Sequence, residues 1–371
     1  MNGNRAPQRA GKSPILEFLR VLCVLCVVLL FAPSARAEDV LHLYIWNNYV
    51  SDATIARFEE HCACRVKQDY YSDNEEMLAK IEAGAVGYDL LVPTGNAVES
   101  LIRRDSLREV DTARLPHLAN LNPAYRKLWF DPDNRYSVPY ATSVTLIGYN
   151  LDKLRELRLP GDTWALIFEP KYLERIRGRV TVLNSQRELM AAAMRYLGHS
   201  VQDRDPAHWE AAKAVILRAK PYWATFSNST YIKDLAVGNI WVAHGYSNDM
   251  FRAREDAKAA GRPFQIGFAT PREGAVLAVD SFVLPKSGPR PDLAHRFIDF
   301  MLEGENAADI SNLIGAGNPN AAALPRIRPE IANEAAIFPT PRDMTRLEML
   351  RDFDPKTRRV LSRMWTEIKV K

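Results

Sequence analysis

The sequence predicts an α/β protein folded as two lobes, neither of them contiguous in the chain. Three observations carry this expectation. Residues 40–93 alternate short apolar stretches with amphipathic ones in a βαβαβ order, which implies an open sheet with helices on both faces. A second set of alternating elements occupies residues 179–269. Two long strand-like stretches, Val138–Asn150 and Ala275–Pro285, have no helix pairing of their own and read as crossings between the two sets. The crossings divide the chain into a first lobe of residues 38–143 and 275–322 and a second of 144–274 and 323–371.

The chain has 371 residues, enough for two domains, with 47% apolar and 25% charged residues as in soluble globular proteins. Its first segment stands apart. Arg5, Arg9, Lys12 and Arg20 precede the apolar run Val21–Ala32, which is short for a membrane span, and small residues follow at Ala35 and Ala37. A basic start, a short apolar core and an Ala-x-Ala end describe an export signal cleaved after Ala37. This segment carries five basic residues and one acid. Removing them from 49 and 45 leaves 44 of each, so the formal charge of +4 belongs to the signal. Nothing basic is left to suggest nucleic acid. Cys23 and Cys26 lie in the apolar run, and only Cys62 and Cys64 remain beyond it. A Cys-x-Cys pair bridges only through a tight ring, so no disulfide framework is expected, and no zinc-type ligand spacing surrounds the pair.

The elements follow in order. Val40–Trp46 reads as a strand, and Ser51–Asp52 caps a helix to about His61. Arg65–Tyr70 is the second strand. "SDNE" at Ser72–Glu75 has capping-box spacing for the next helix. Tyr88–Pro93 has the continuous apolar run of a buried parallel strand. In the second set, strands are expected at Arg179–Leu183, Ile240–Ala243 and Gln265–Ala269. Helices are expected at Arg187–Leu197, Ala207–Ala219, Ser229–Ala236 and Asp249–Ala259.

In open α/β sheets ligands sit beyond the carboxyl ends of the strands. Trp46, Asn47, Asn48 and Tyr49 follow the first strand, and Thr94 follows the third. Glu188 opens the helix after Arg179–Leu183, and Tyr246 and Asp249 follow Ile240–Ala243. Asp280 interrupts the apolar crossing strand, where an unpaired carboxylate is costly. Acids and aromatics meeting in one cleft suit an organic cation: carboxylates give charge-assisted hydrogen bonds, and aromatic faces attract ammonium groups. Each residue also has a plainer reading. Glu188 could complement a helix dipole, Asp249 could be an N-cap, Asp280 could pair with a buried Arg, and Trp46 could fill core. The sequence carries no Gly-x-Ser-x-Gly elbow, P-loop or His-Glu-x-x-His, its seven His are scattered, and Tyr70–Tyr71 lacks the companions of an iron site. Neither catalysis nor a cofactor or metal is expected.

Seven ordered stretches carry a family resemblance. They are "YIWNNYV", "EAGAVGYDLLVPT", "LPHLANLNP", "YSVPYATSVTLIGYN", "YIKDLAVGNIWVAHGYSND", "DSFVLP" and "RVLSRMWTEIKV". The chain resembles the periplasmic polyamine-binding proteins of ABC transporters, nearest the putrescine-binding type, from about Leu41 to Lys371. The resemblance implies a type II two-lobed solute-binding fold with a hinge, a monomeric periplasmic protein, a polyamine ligand and a membrane permease as partner. It implies that Trp46 and Tyr49 wall the ligand, that Thr94 replaces a family Ser, and that Tyr246 replaces a Trp. Glu188, Asp249 and Asp280 match the acids that receive amines. Asn47 and Asn48 stand where the putrescine type has Ser and Asp. Ala278 and Ala316 replace aromatic residues, and Asn184 and Ser185 fill a region where related proteins place a further acid. A receptor for another cationic amine or amino-acid derivative, or a sensor component, is the alternative.

Overall fold

The computed structural model describes residues 39–370. The expected export segment, its cleavage point and Cys23 and Cys26 lie outside the described residues. Among the described residues no helix is long and apolar enough to cross a membrane.

The strands are β1 (Val40–Trp46), β2 (Arg65–Tyr71), β3 (Leu90–Leu91), β4 (Leu107–Arg108), β5 (Ser137–Asn150), β6 (Val180–Val182), β7 (Thr225–Phe226), β8 (Val242–Tyr246), β9 (Ile266–Ala269), β10 (Ala275–Pro285) and β11 (Leu347–Glu348). They run in the order β2-β1-β3-β10-β5-β8-β6-β7, with β4 and β11 beside β10 and β9 beside β5. The two expected crossings are thus the middle of the structure. The first part of β5 pairs antiparallel with β10, from Ser137↔Val283 to Thr145↔Val276. From Thr145 onward β5 pairs with β8, and from Ile147 with β9. One strand therefore leaves one group of strands and enters the other near Thr145. Both crossings are buried almost throughout, which is why their sequences are apolar without alternation. The parallel β2-β1-β3 set lies to one side, and the parallel β8-β6-β7 set to the other.

One apolar cluster gathers Leu41, Leu43, Ile45, Phe58, Leu90, Tyr140, Phe282, Phe297 and Ala316, all from the expected first lobe. The larger cluster centres on the second set, with Trp164, Ile167, Val182, Leu189, Trp209, Tyr231 and Val242, and reaches into the first through Tyr44, Leu91 and Val98.

The longer helices that bear on the site are α1 (Asp52–Cys62), α2 (Asn74–Glu82), α3 (Gly95–Arg103), α4 (Gln186–Tyr196), α5 (Pro206–Ala219), α6 (Thr230–Val237) and α7 (Ser247–Ala259). Ser51 caps α1, its side chain accepting from Thr54 N at 3.0 Å. Three details depart from the sequence expectation. The N-cap of α2 is Asp73, not Ser72: Asp73 accepts from Glu76 N, while the Ser72 N–H and hydroxyl both donate to the Glu76 carboxylate. The reciprocal pairing is kept, one residue further on. Tyr88–Pro93 ladders only at Leu90–Leu91, because the buried Asp89 turns its carboxylate to the backbone of His42 and Arg290. Cys62 and Cys64 form a disulfide, with Cα atoms 5.2 Å apart. Ala63 between them is left-handed (φ 53°), and that bend brings the two thiols to one side. A ring this short restrains little of the unfolded chain.

Candidate functional site

Strand geometry sets each side chain in place. Trp46 ends β1, its indole Nε1 donating to Val92 O at 2.9 Å and its ring packing 4.6 Å from that of Tyr71. It stays partly exposed while packing against both apolar clusters. Tyr49 sits just past the turn, its backbone carbonyl accepting from Tyr140 OH at 2.6 Å and its own hydroxyl donating to Asp280 Oδ2 at 2.8 Å. Thr94 is the N-cap of α3 but gives the helix no side-chain bond. Its hydroxyl donates instead to Asp280 Oδ1 at 2.6 Å.

Asp280 explains the polar break in its strand. The β5–β10 ladder shifts register between Asp280 and Ser281, and the carboxylate, 3% exposed, is met by those two hydroxyls rather than by an Arg. Burial pushes its pKa up to about 6, and the two hydrogen bonds only partly offset this.

Glu188 lies in the first turn of α4 and is 8% exposed. Its carboxylate accepts from Thr145 Oγ1 at 2.7 Å, on the strand that changes partners at that residue. Burial raises Glu188 to about 7, against the Thr145 hydrogen bond and the Arg187 charge. Asp249 is the third residue of α7 and not its N-cap, which is Tyr246. Its carboxylate takes the Tyr231 hydroxyl and Asn248 Nδ2, and burial raises it to about 6.

The field at two tyrosines places these acids together. Tyr246 is raised well above the usual phenol range by burial and then by the charges of Glu188, Asp249, Glu75 and Asp280. Tyr49 is raised by burial, then by Asp280 and Asp249. Carboxylates from β10, α4 and α7 thus converge around tyrosine rings, with hydroxyl groups as their partners. Such a set holds its ionised form poorly.

Asn47 and Asn48 are exposed in the turn between Trp46 and Tyr49, and Asn48 is left-handed (φ 61°), a conformation that Asn tolerates. Neither hydrogen-bonds to the three acids. Ala278 borders a pocket of about 10 Å³ shared with Thr94 and Glu188, room for about one water. Ala316 is instead fully buried in the apolar cluster. A separate concavity, about 630 Å³, is bounded by Arg272, Arg342 and Arg346 with Thr340, Asp343 and Thr345. Its arginines suit it poorly to an amine, and it is not the acidic site.

Sequence reasoning missed Glu75, Thr145 and Tyr231. Glu75 is solvent-accessible yet crowded by protein, which raises its pKa first by desolvation and then by the Asp73 charge. It follows the carboxyl end of β2, the same topological position that singled out Trp46 and Thr94, so a signal was present. Tyr231 carried none, because its hydroxyl reaches Asp249 only through the packing of α6 on α7.

Acids and aromatics presented at strand ends around two central crossing strands define a solute-binding protein on a two-lobed α/β scaffold, a binder rather than an enzyme. The chain belongs to the bacterial extracellular solute-binding protein family, whose model matches residues 53–340. It is 52% identical to the putrescine/cadaverine-binding protein of Pseudomonas aeruginosa, over 95% of this chain and 100% of that one. It is 33% identical to the putrescine-binding periplasmic protein PotF of Escherichia coli, over 90% and 92% of the respective chains. Among solved structures, the TpPotD lipoprotein of Treponema pallidum superposes with a TM-score of 0.77 at 28% identity, covering 89% of this chain and 99% of that one.

Proposed function

We propose that this protein captures a polyamine, a putrescine-like diammonium, between its lobes in the periplasm and delivers it to an ABC-transporter permease. The observation that carries this reading is the trio Glu188, Asp249 and Asp280, the first and last buried and Asp249 partly so, all raised by desolvation and hydrogen-bonded to hydroxyls rather than paired with Arg or Lys. A diammonium supplies the missing charge at both ends, and Trp46, Tyr49 and Tyr246 flank its methylenes. Asn47 and Asn48 rim the entrance.

The lobes are residues 38–143 with 275–322 and 144–274 with 323–371. Support comes from β5, which changes partners at Thr145, and from the apolar cluster confined to the first lobe. Because the pocket beside Glu188 is only about 10 Å³, ligand entry requires the walls to separate, a hinge motion about the crossing strands. The protein acts as a monomer after removal of residues 1–37. Resemblance to a putrescine/cadaverine-binding relative, together with Ala278 in place of an aromatic wall, favours tolerance of a diamine longer than putrescine.

Calorimetric titration with putrescine, cadaverine, spermidine, butylamine and free amino acids tests the reading. Diamines should bind at least tenfold more tightly than butylamine. Amino acids binding as well as diamines would overturn it.

A further inference from the structure

We propose that His199, Asp203 and His208 form a binding site for a first-row divalent transition metal, zinc foremost, on the turn that joins α4 to α5. Each of the three offers one ligand atom, and those atoms all lie within 4.8 Å of one another. The imidazoles of His199 and His208 stack with centroids 3.7 Å apart and planes 17° from parallel. His208 Nδ1 lies 2.7 Å from Asp203 Oδ2. Asp205 adds a second carboxylate, its Oδ2 4.0 Å from His208 Nε2. Two imidazoles and a carboxylate, with water completing a tetrahedron, are a common zinc donor set. Ligand atoms around such an ion stand about 3.4 Å apart, a figure that follows from bond lengths near 2.1 Å. Because imidazole lone pairs lie in the ring planes, the two stacked rings must swing out of their parallel arrangement for both nitrogens to face one ion.

Local hydrogen bonds fix the turn. Asp203 O accepts from the indole of the buried Trp209 at 2.8 Å, and Asp203 N donates to Ser200 O at 3.2 Å. Asp205 caps α5 ahead of Pro206. Ser200 and Arg195 are both bonded to Glu348. The spacing 199, 203, 208 follows no helix or strand period, so the cluster arises only where the turn folds back. The site is separate from the acidic cleft: Glu188 is in the first turn of α4, the helix runs on for roughly 12 Å to Tyr196 at the usual rise, and His199 lies beyond its end. A bound ion would staple the α4–α5 turn.

The test uses untagged, metal-stripped protein titrated with Zn²⁺ alone, with putrescine absent and at saturation, alongside His199→Asn and His208→Asn. One ion per chain is expected, unaffected by putrescine, with affinity at least tenfold weaker in each variant and a zinc-dependent rise in thermal midpoint only in the parent. Co²⁺ added to the parent gives a readout independent of any variant: the intense absorption of a tetrahedral site is expected. No saturable binding, equal affinity in parent and both variants, loss of zinc when putrescine fills the cleft, or only the pale spectrum of hydrated Co²⁺ would each overturn the assignment.

Discussion

Ligand affinity should depend steeply on pH in a range where most binding proteins are indifferent. Glu188 is raised to about 7, and Asp249 and Asp280 to about 6, chiefly by burial. For Glu188 the shift from its ordinary value corresponds to roughly 3 kcal/mol against the ionised form. A diammonium binds the ionised acids, so each must lose its proton first. Between pH 8 and pH 6 the ionised fraction falls about tenfold for Glu188 and about twofold for each Asp, which together weaken putrescine binding by about 40-fold. Binding at pH 6 should release about two protons, and almost none at pH 8. Calorimetry in buffers of different ionisation enthalpy reads both quantities. Glu188→Gln should bind more weakly overall and keep only about fourfold of the pH dependence. Affinity constant within twofold from pH 6 to pH 8, or full pH dependence retained in Glu188→Gln, would refute the assignment of these carboxylates to the cleft. The ligand-free protein should respond in the opposite sense. Acids whose folded pKa is raised stabilise the fold below their unfolded pKa, and that contribution is lost as pH rises through about 6 to 7. Its thermal midpoint should therefore fall from pH 5 to pH 8, while saturating putrescine reverses the trend.

Asp280→Asn should weaken putrescine binding by about 1.5–3 kcal/mol, the range for hydrogen bonds to charged groups, and unchanged affinity by calorimetry would remove it from the site. Asn48→Asp, at an exposed position whose backbone suits Asp equally, should tighten putrescine binding by ~1 kcal/mol, less at high salt and less for butylamine. Equal affinities throughout would mean that Asn48 does not face the ligand. N-terminal sequencing of the exported protein should begin at Glu38, and recovery of Met1 would contradict the export reading.

Much of the fold was legible because its signals are local. The βαβαβ order, the cap of α1 and the two long apolar crossings follow from periodicity and from Ser at a helix start. Strand ends in an α/β sheet are also where ligands sit, so Trp46, Tyr49, Thr94, Glu188, Asp249 and Asp280 could be picked out one by one. Element ends were less legible. Asp73 rather than Ser72 caps α2, since either side chain satisfies the rule and only the path of the turn chooses.

The sequence by itself determined the alternating architecture, the crossing strands and the residue types at the strand ends, since these depend on neighbours a few positions away. Tertiary structure alone decided what those residues become. Asp280 meets Thr94 and Tyr49 across 186 and 231 positions of chain, and a register shift in β10 turns its carboxylate toward them. Tyr231 finds Asp249 only because α6 packs on α7, and the Glu75 charge reaches Tyr246, 171 positions further along the chain, only in the folded protein. The upward pKa shifts belong to the same level. They measure water excluded by walls from distant parts of the chain, and no residue carries that quantity until the chain has folded around it.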